Sequence, residues 1–262
     1  VAMADVIIES DLSLYELQDP PIGEAEKAVA QYAAEMVHDG DCIQLGFGGI
    51  PNAIGFELMN RHDLGIHTEQ IGASMAHMIQ SGVVTNRYKN LDRGWSVGAF
   101  IIADNFTYNY VNNHPRIMMR RGRYTNDPMI IAQQDNMVSI NAALQIDLTG
   151  QVAAEAIGTV QWSGTGGATD YAYGAYHSRG GRAMLCQIST AKKGTVSRIA
   201  PILDPGSIVS VSRNLTDMVI TEYGVAKLRQ RTVKQRVENL IAVAHPDFRA
   251  ELRKEANKYM YF

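Results

Sequence analysis

Residues 45–51 read Leu-Gly-Phe-Gly-Gly-Ile-Pro, and a lone glutamate follows at Glu69 inside GIHTEQIG. Gly46, Gly48 and Gly49 free the backbone to turn sharply and to come close to a ligand. Pro51 suits the first turn of the helix expected over Asn52–Asn60, where its missing N–H is no loss. A strand, a glycine loop and a helix N-terminus together make a ready site for an anion, such as a phosphate or a carboxylate. A carboxylate close downstream brings acid–base or nucleophilic work within reach. A second glycine cluster, Ser163-Gly164-Thr165-Gly166-Gly167, is followed by Asp170. Backbone N–H groups in such a loop can form a concavity that stabilises an oxyanion. The competing structural reading is a tight turn that needs positive φ.

Other chemistries fit less well. LGFGGIP lacks the third glycine of GxGxxG, which weakens a dinucleotide reading. The chain has no GKS or GKT, and hence no phosphate loop of the nucleotide-hydrolase kind. Ser74 and His77 share a helical face, but a serine hydrolase needs a strained elbow and GxSxG is absent. His67 and Glu69 are two apart with no third ligand nearby, which argues against a metal. Lys192, Lys193, Arg198 and Arg213 fall in or beside loops, where they could meet phosphates or simply be solvated.

These residues need a scaffold, and the chain alternates helices with strands. Residues 22–38 place Ala28, Val29, Tyr32, Ala33, Met36 and Val37 on one stripe with Gly40 as a stop, an amphipathic helix. Cys42–Leu45 is a short buried strand, Ile66–Thr68 a strand end and Ser74–Gln80 a short helix. Further strands are expected at Val97–Ile102, Met137–Asn141, Ala183–Ile188, Ser207–Ser212 and Met218–Thr221. Thr232 and Gln235 form a capping-box pattern ahead of Val237, Leu240 and Ile241. Pro246 opens a last helix carrying Phe248 and Leu252. The alternation implies an α/β fold, an open, mostly parallel sheet flanked by helices, with ligands at the carboxyl ends of its strands.

Composition sets limits. The chain has 262 residues and an ordinary apolar share of 46%, with no apolar run of membrane length. A net charge of −3 gives no reason to expect nucleic acid. Cys42 and Cys186 lie in apolar runs and make neither a disulfide framework nor a zinc set; core thiols in a reducing cytoplasm are the expectation. No secretory signal is visible. The chain opens Val-Ala-Met, the start expected of a processed, truncated or partial polypeptide.

The stretches QLGFGGIPNAI, DLGIHTEQI, SGVVTNRYK, QQDNMVSINAALQIDLTGQV, SGTGGATDYAYGA, STAKKGTVSRI, VITEYGVAKL and IAVAHPDFR occur in this order from about residue 22 to 250. In them the chain resembles the C-terminal catalytic half of the acetyl-CoA hydrolase/transferase family, which includes 4-hydroxybutyrate and butyryl-CoA:acetate CoA-transferases. The resemblance implies that residues 1–262 are the second of two related α/β domains, with 1–20 a linker-like lead-in and the N-terminal domain absent.

The resemblance also implies roles. Glu69 would be the catalytic glutamate, and Gly46, Phe47, Gly48, Gly49 and Ile50 the loop that contacts coenzyme A. Asn141 would lie near the thioester, Gly164 would donate to the oxyanion, and Lys192 would bind coenzyme A. Where relatives commonly carry Ser-Asp-Gly after Glu-x-Ile, this chain has Gly72-Ala73-Ser74, a departure that bears on the acyl pocket. The implied reaction moves CoA between a short-chain acyl-CoA and a carboxylic acid such as acetate through a glutamyl-CoA thioester, without metal or resident cofactor. An acyl-CoA hydrolase on the same scaffold and a non-catalytic CoA-binding subunit are the alternatives. The expected partners are a companion N-terminal domain or subunit and further copies in a homo-oligomer.

Overall fold

The computed structural model describes residues 5–17 and 21–259. A six-stranded sheet forms the centre: β1 (Cys42–Leu45), β2 (Gly65–Ile66), β3 (Met137–Ala142), β4 (Arg182–Cys186), β5 (Met218–Thr221) and β6 (Gly224–Lys227). The spatial order is β6-β5-β4-β3-β1-β2. All neighbours run parallel except β6, which turns back antiparallel on β5. This is the open, mostly parallel sheet expected from the sequence.

Alternation along the strands builds two cores. Ile43, Leu45, Val138, Ile140, Met184 and Ile220 face one side, with α1 (Glu24–Glu35), α2 (Gly49–Glu57) and α3 (Ala73–Gln80) packed over them. Met137, Ala183, Leu185 and Val219 face the other, under α4 (Ala168–His177), α5 (Val233–Val243) and α6 (Pro246–Lys258). Strands covered on both faces read as mostly apolar runs, which makes β5 legible, and β1 in spite of the buried Gln44 within it. The capping box of α5 is formed, with Gln235 N–H donating to Thr232 Oγ1 at 3.3 Å and Thr232 N–H to Gln235 Oε1 at 3.1 Å.

Four expectations need correction. The first helix buries Val29, Ala30, Ala33 and Ala34, with Val37 buried just past its end, so its face is turned away from Tyr32, which is 37% exposed. Val97–Ile102 is not one strand: Ser96–Gly98 pairs with Ile117–Met119, whereas Phe100–Ile101 pairs with Gln70–Ile71. The break at Ala99 lets the amides of Ala99 and Phe100 both reach the Glu69 carbonyl. Ser207–Ser212 is irregular apart from a bridge of Val211 to Val152, because its β-branched residues serve a loop rather than a ladder. The helix after the glycine loop also starts earlier than expected, at Gly49.

Candidate active site

The chain leaves β1 for β2 on one side, while β3 returns on the other. The crevice between β1 and β3 is therefore the topological switch point, where open α/β sheets hold ligands. The glycine loop caps β1 there, and Asn141, the penultimate residue of β3, lies beside it. A Cβ on Gly46 would lie 2.5 Å from Asn141 Oδ1 and 3.3 Å from Asn141 Cα, so only glycine allows the approach. Gly48, at φ 118°, caps α2 in a conformation that side chains avoid.

Beneath the loop lies a closed polar network. Gln44 Nε2–H donates to Asn141 Oδ1 at 3.0 Å, and Asn141 Nδ2–H donates to Gln44 Oε1 at 3.1 Å and to Ser139 Oγ at 3.0 Å. Ser139 Oγ–H completes it on Gln44 Oε1 at 2.9 Å. Buried amides that satisfy one another hold a fixed orientation, because a rotated one would leave unpaired groups.

Glu69 stands across this crevice, just past β2. Its carbonyl accepts from Ala99 N–H at 2.8 Å and from Phe100 N–H at 3.1 Å. The strand leading to it is tied by Lys89, a buried side chain whose Nζ donates to Ile66 O at 2.8 Å and to Trp95 O at 2.7 Å. The Glu69 carboxylate is half-buried, and its Oε2 accepts from the Gly167 N–H at 3.1 Å. Gly167 caps α4, so the carboxylate sits at a helix N-terminus, where an anion is favoured.

The surroundings of Glu69 are polar on one flank and apolar on the other. Asp170, in the first turn of α4, has its carboxyl pushed above the usual range, chiefly by burial and then by the charge of Glu69. His67 Nε2 and the Tyr171 hydroxyl both bond Thr125 O, at 3.0 and 2.8 Å. Burial lowers the His67 pKa to about 4, so the ring is neutral near pH 7 and Nδ1 is an acceptor with no partner among the described residues. Phe47, Phe100 and Trp162 are 59%, 38% and 68% exposed and line the opening.

One cleft of about 810 Å³ takes in both glycine clusters, Glu69 and Asn141. Gly46, Phe47, Glu69, Asn141 and Gly164 thus come together from four separate stretches of chain. Gly48 lines a smaller cavity next door, while Gly49 and Ile50 start α2 behind the loop. Lys192 lies elsewhere: it is exposed in the turn between Thr190–Ala191 and Val196–Ser197, outside the cleft lining. Among the described residues, no group of three His, Cys, Asp or Glu could hold a metal, and no helix is long and apolar enough to cross a membrane.

The second glycine cluster works differently from a tight turn. Gly164, Gly166 and Gly167 all avoid positive φ. A Cβ on Gly164 meets nothing within 4 Å, whereas one on Gly167 would lie 2.5 Å from Glu69 Oε2 and 2.6 Å from Asn126 Nδ2. Gly167 is therefore the glycine that the carboxylate requires, and sequence reasoning passed over it. The available signal was its place immediately ahead of the helix, where a cap's amide is free. Asn126 and Phe100 gave no such signal, since only the fold brings them to Glu69.

Known proteins resemble the chain over nearly its whole length. A succinyl-CoA:cyclohexane-1-carboxylate CoA transferase of Geobacter metallireducens is 46% identical over 98% of this chain and 59% of its own length. The crystal structure of RipA from Yersinia pestis superimposes with a TM-score of 0.92 at 43% identity, over 96% of this chain and 57% of that one. A 4-hydroxybutyrate CoA-transferase from Porphyromonas gingivalis gives a TM-score of 0.84 at 40% identity, over 96% and 59%. The chain thus spans less than two thirds of the length of these relatives. The family model for the acetyl-CoA hydrolase/transferase C-terminal domain matches residues 104–256, the segment that carries Asn141 and the second glycine cluster. By that match, the chain belongs to the acetyl-CoA hydrolase/transferase family.

Proposed function

We propose that this chain carries the nucleophile of a CoA-transferase that moves CoA between a short-chain acyl-CoA and a carboxylic acid, with Glu69 forming a glutamyl-CoA thioester. The observation that carries the reading is the Glu69 carboxylate, held at a helix N-terminus by Gly167 and facing a glycine loop across one cleft.

A Glu69 oxygen attacks the acyl carbon of the thioester, the C–S bond breaks, and CoA leaves as thiolate. The thiolate then attacks the glutamyl carbonyl of the resulting anhydride, releasing the donor acid and leaving the glutamyl-CoA thioester. An acceptor carboxylate reverses both steps. Each addition places negative charge on a carbonyl oxygen, and N–H groups of the Gly164–Gly167 loop stabilise it, Gly164 among them. The paired amides of Gln44 and Asn141 hold the opposite wall without moving. Phe47, Phe100 and Trp162 offer apolar surface to the pantetheine arm.

Water must be kept from the anhydride, since its attack turns transfer into hydrolysis. The exposed aromatics at the cleft mouth are the surface on which a companion domain or subunit of the protein closes the site. The principal test is a trap. After incubation with acyl-CoA, borohydride reduction and mass mapping should locate a modified Glu69, and Glu69→Ala should lose transfer while it keeps its melting temperature. Full transfer by that variant sinks the reading. CoA release that is independent of added acetate would assign a hydrolase instead.

A further inference from the structure

The cleft that holds Glu69 contains a second carboxylate with no part in the chemistry above. Among the described residues that line it, Glu69 and Glu155 are the only ionisable side chains, and no lysine, arginine or histidine joins them. Glu69 is held by the Gly167 N–H. Glu155 is part-exposed on the cleft, and its carboxylate has no hydrogen bond or ion pair with any described residue.

The backbone that carries Glu155 is fixed. Its carbonyl accepts from Trp162 N–H at 2.7 Å and from Ser163 N–H at 3.3 Å, which closes the hairpin of Ala156–Ile157 with Val160–Gln161. Ala154 N–H, beside it, donates to Ser210 Oγ at 3.0 Å, and Thr169 Oγ1 in the first turn of α4 donates to Ser210 O. Glu155 therefore stands on a wall tied to the helix whose N-terminus holds Glu69. An ionised carboxylate can only accept, so its complement is a ligand N–H or O–H. The parts of an acyl-CoA differ in what they offer it. The phosphates are anions, and a cleft lined by carboxylates without a cation repels them. The acyl chain and the thioester carbonyl carry no N–H, and the adenine amine lies beyond the phosphates. The pantetheine arm is uncharged and carries amide N–H groups. An amide donating to a carboxylate makes a bond about twice as strong as one between neutral groups. Phe47, Phe100 and Trp162 line the same cleft and suit the methylenes of that arm.

We infer that Glu155 binds the pantetheine arm of the thioester substrate, its carboxylate accepting an amide N–H of that arm while the nucleotide stays outside the cleft. The inference rests on the proposed CoA transfer at Glu69, which brings a pantetheine thioester into this cleft. Glu155 takes no part in bond making or breaking; it anchors the arm whose sulfur Glu69 must reach.

The full-length gene product is assayed with three thioesters of the short-chain acid that it transfers fastest. These are the CoA thioester, the pantetheine thioester, which lacks the nucleotide, and the hexyl thioester, which lacks the amides as well. The hexyl thioester is read as the rate of adduct formation on Glu69, at a concentration that labels the parent. Glu155→Leu should lower kcat/KM by about tenfold or more for the CoA and pantetheine thioesters alike, the scale of a lost hydrogen bond to a charged group. The loss should fall chiefly on KM, and the hexyl thioester should change by less than about threefold. Glu155→Gln keeps a neutral acceptor and should lie between the parent and the leucine variant. Glu155→Ala decides the matter if Glu155→Leu does not fold. Better use of the CoA thioester by Glu155→Leu marks a carboxylate that only repels phosphate, and a loss confined to the CoA thioester marks contact with the nucleotide. Either result, or an equal loss with the hexyl thioester, overturns the inference while leaving CoA transfer intact. Absence of transfer from every short-chain acyl-CoA, with no adduct on Glu69, overturns the proposed function itself.

Discussion

Replacing Gly167 by alanine isolates the contact on which the site depends. The glycine has φ −79° and ψ 5°, a conformation open to any residue, so the backbone itself accepts the change. The obstacle is the new methyl group, 2.5 Å from Glu69 Oε2 and 2.6 Å from Asn126 Nδ2. To reach the 3.4 Å at which ordinary contact begins, the carboxylate must retreat by roughly 0.9 Å. Its hydrogen bond from Gly167 N–H, now 3.1 Å, is then lost. A hydrogen bond to a charged acceptor contributes about 1.5–3 kcal/mol, and a nucleophile misplaced by about 1 Å loses about a hundredfold in rate. Gly167→Ala should therefore lower kcat by about 10²-fold and change KM for acyl-CoA far less, because the glycine loop and the polar bed under it are untouched. Rapid-quench mass spectrometry should show slower formation of the glutamyl adduct, with a melting temperature within a few degrees of the parent. A kcat within about threefold of the parent, in a protein of unchanged stability, would refute the reasoning.

Three further outcomes are expected. Gly164→Ala meets no protein atom within 4 Å, so its effect reports on bound substrate alone: kcat should fall more than CoA affinity, and an unchanged kcat would remove Gly164 from the oxyanion site. His67, whose pKa is lowered to about 4 in the fold from about 6.5 unfolded, is unprotonated in the folded chain at neutral pH. The unfolded chain takes up the proton first as pH falls, so stability drops from about pH 6.5 to about pH 4, by about 3 kcal/mol. Denaturant titrations across that window should show the drop, and His67→Gln should flatten it. Burial pushes the Cys42 and Cys186 thiols up to about 11 and about 12, so neither should react with iodoacetamide at pH 8 until the protein unfolds.

Much of the scaffold was legible in the sequence because local signals agreed with the fold. Cys42–Leu45 and Met218–Thr221 are covered on both faces, so they appear as mostly apolar runs, with Gln44 and Thr221 the polar residues in them. Thr232 and Gln235 satisfy each other's backbone within one turn, which makes the start of α5 a local matter. Glu69 stood out as a candidate for acid–base or nucleophilic work for the same reason, since a carboxylate after a strand and a glycine loop is a pattern of residue types, whereas its role as nucleophile is implied by the family resemblance.

Other features had no local cause. Val97–Ile102 and Ser207–Ser212 have strand-like composition, yet their pairing depended on which partners the fold set beside them. Tyr32 fits the periodicity of the first helix, but the packing of α1 on α2 and the sheet turned it outward. Sequence order could rank Gly164 with Gly167. Only the fold, by setting the α4 N-terminus against Glu69 across 98 residues of chain, decided that Gly167 must lack a side chain. It likewise left Gln70 Oε1 buried without a partner among the described residues. The sequence by itself determined the doubly covered strands, the capping box of α5 and the kinds of groups available for chemistry, because these follow from neighbours along the chain. The tertiary structure alone decided which of those groups meet, because close approach and burial are properties of residues far apart in sequence.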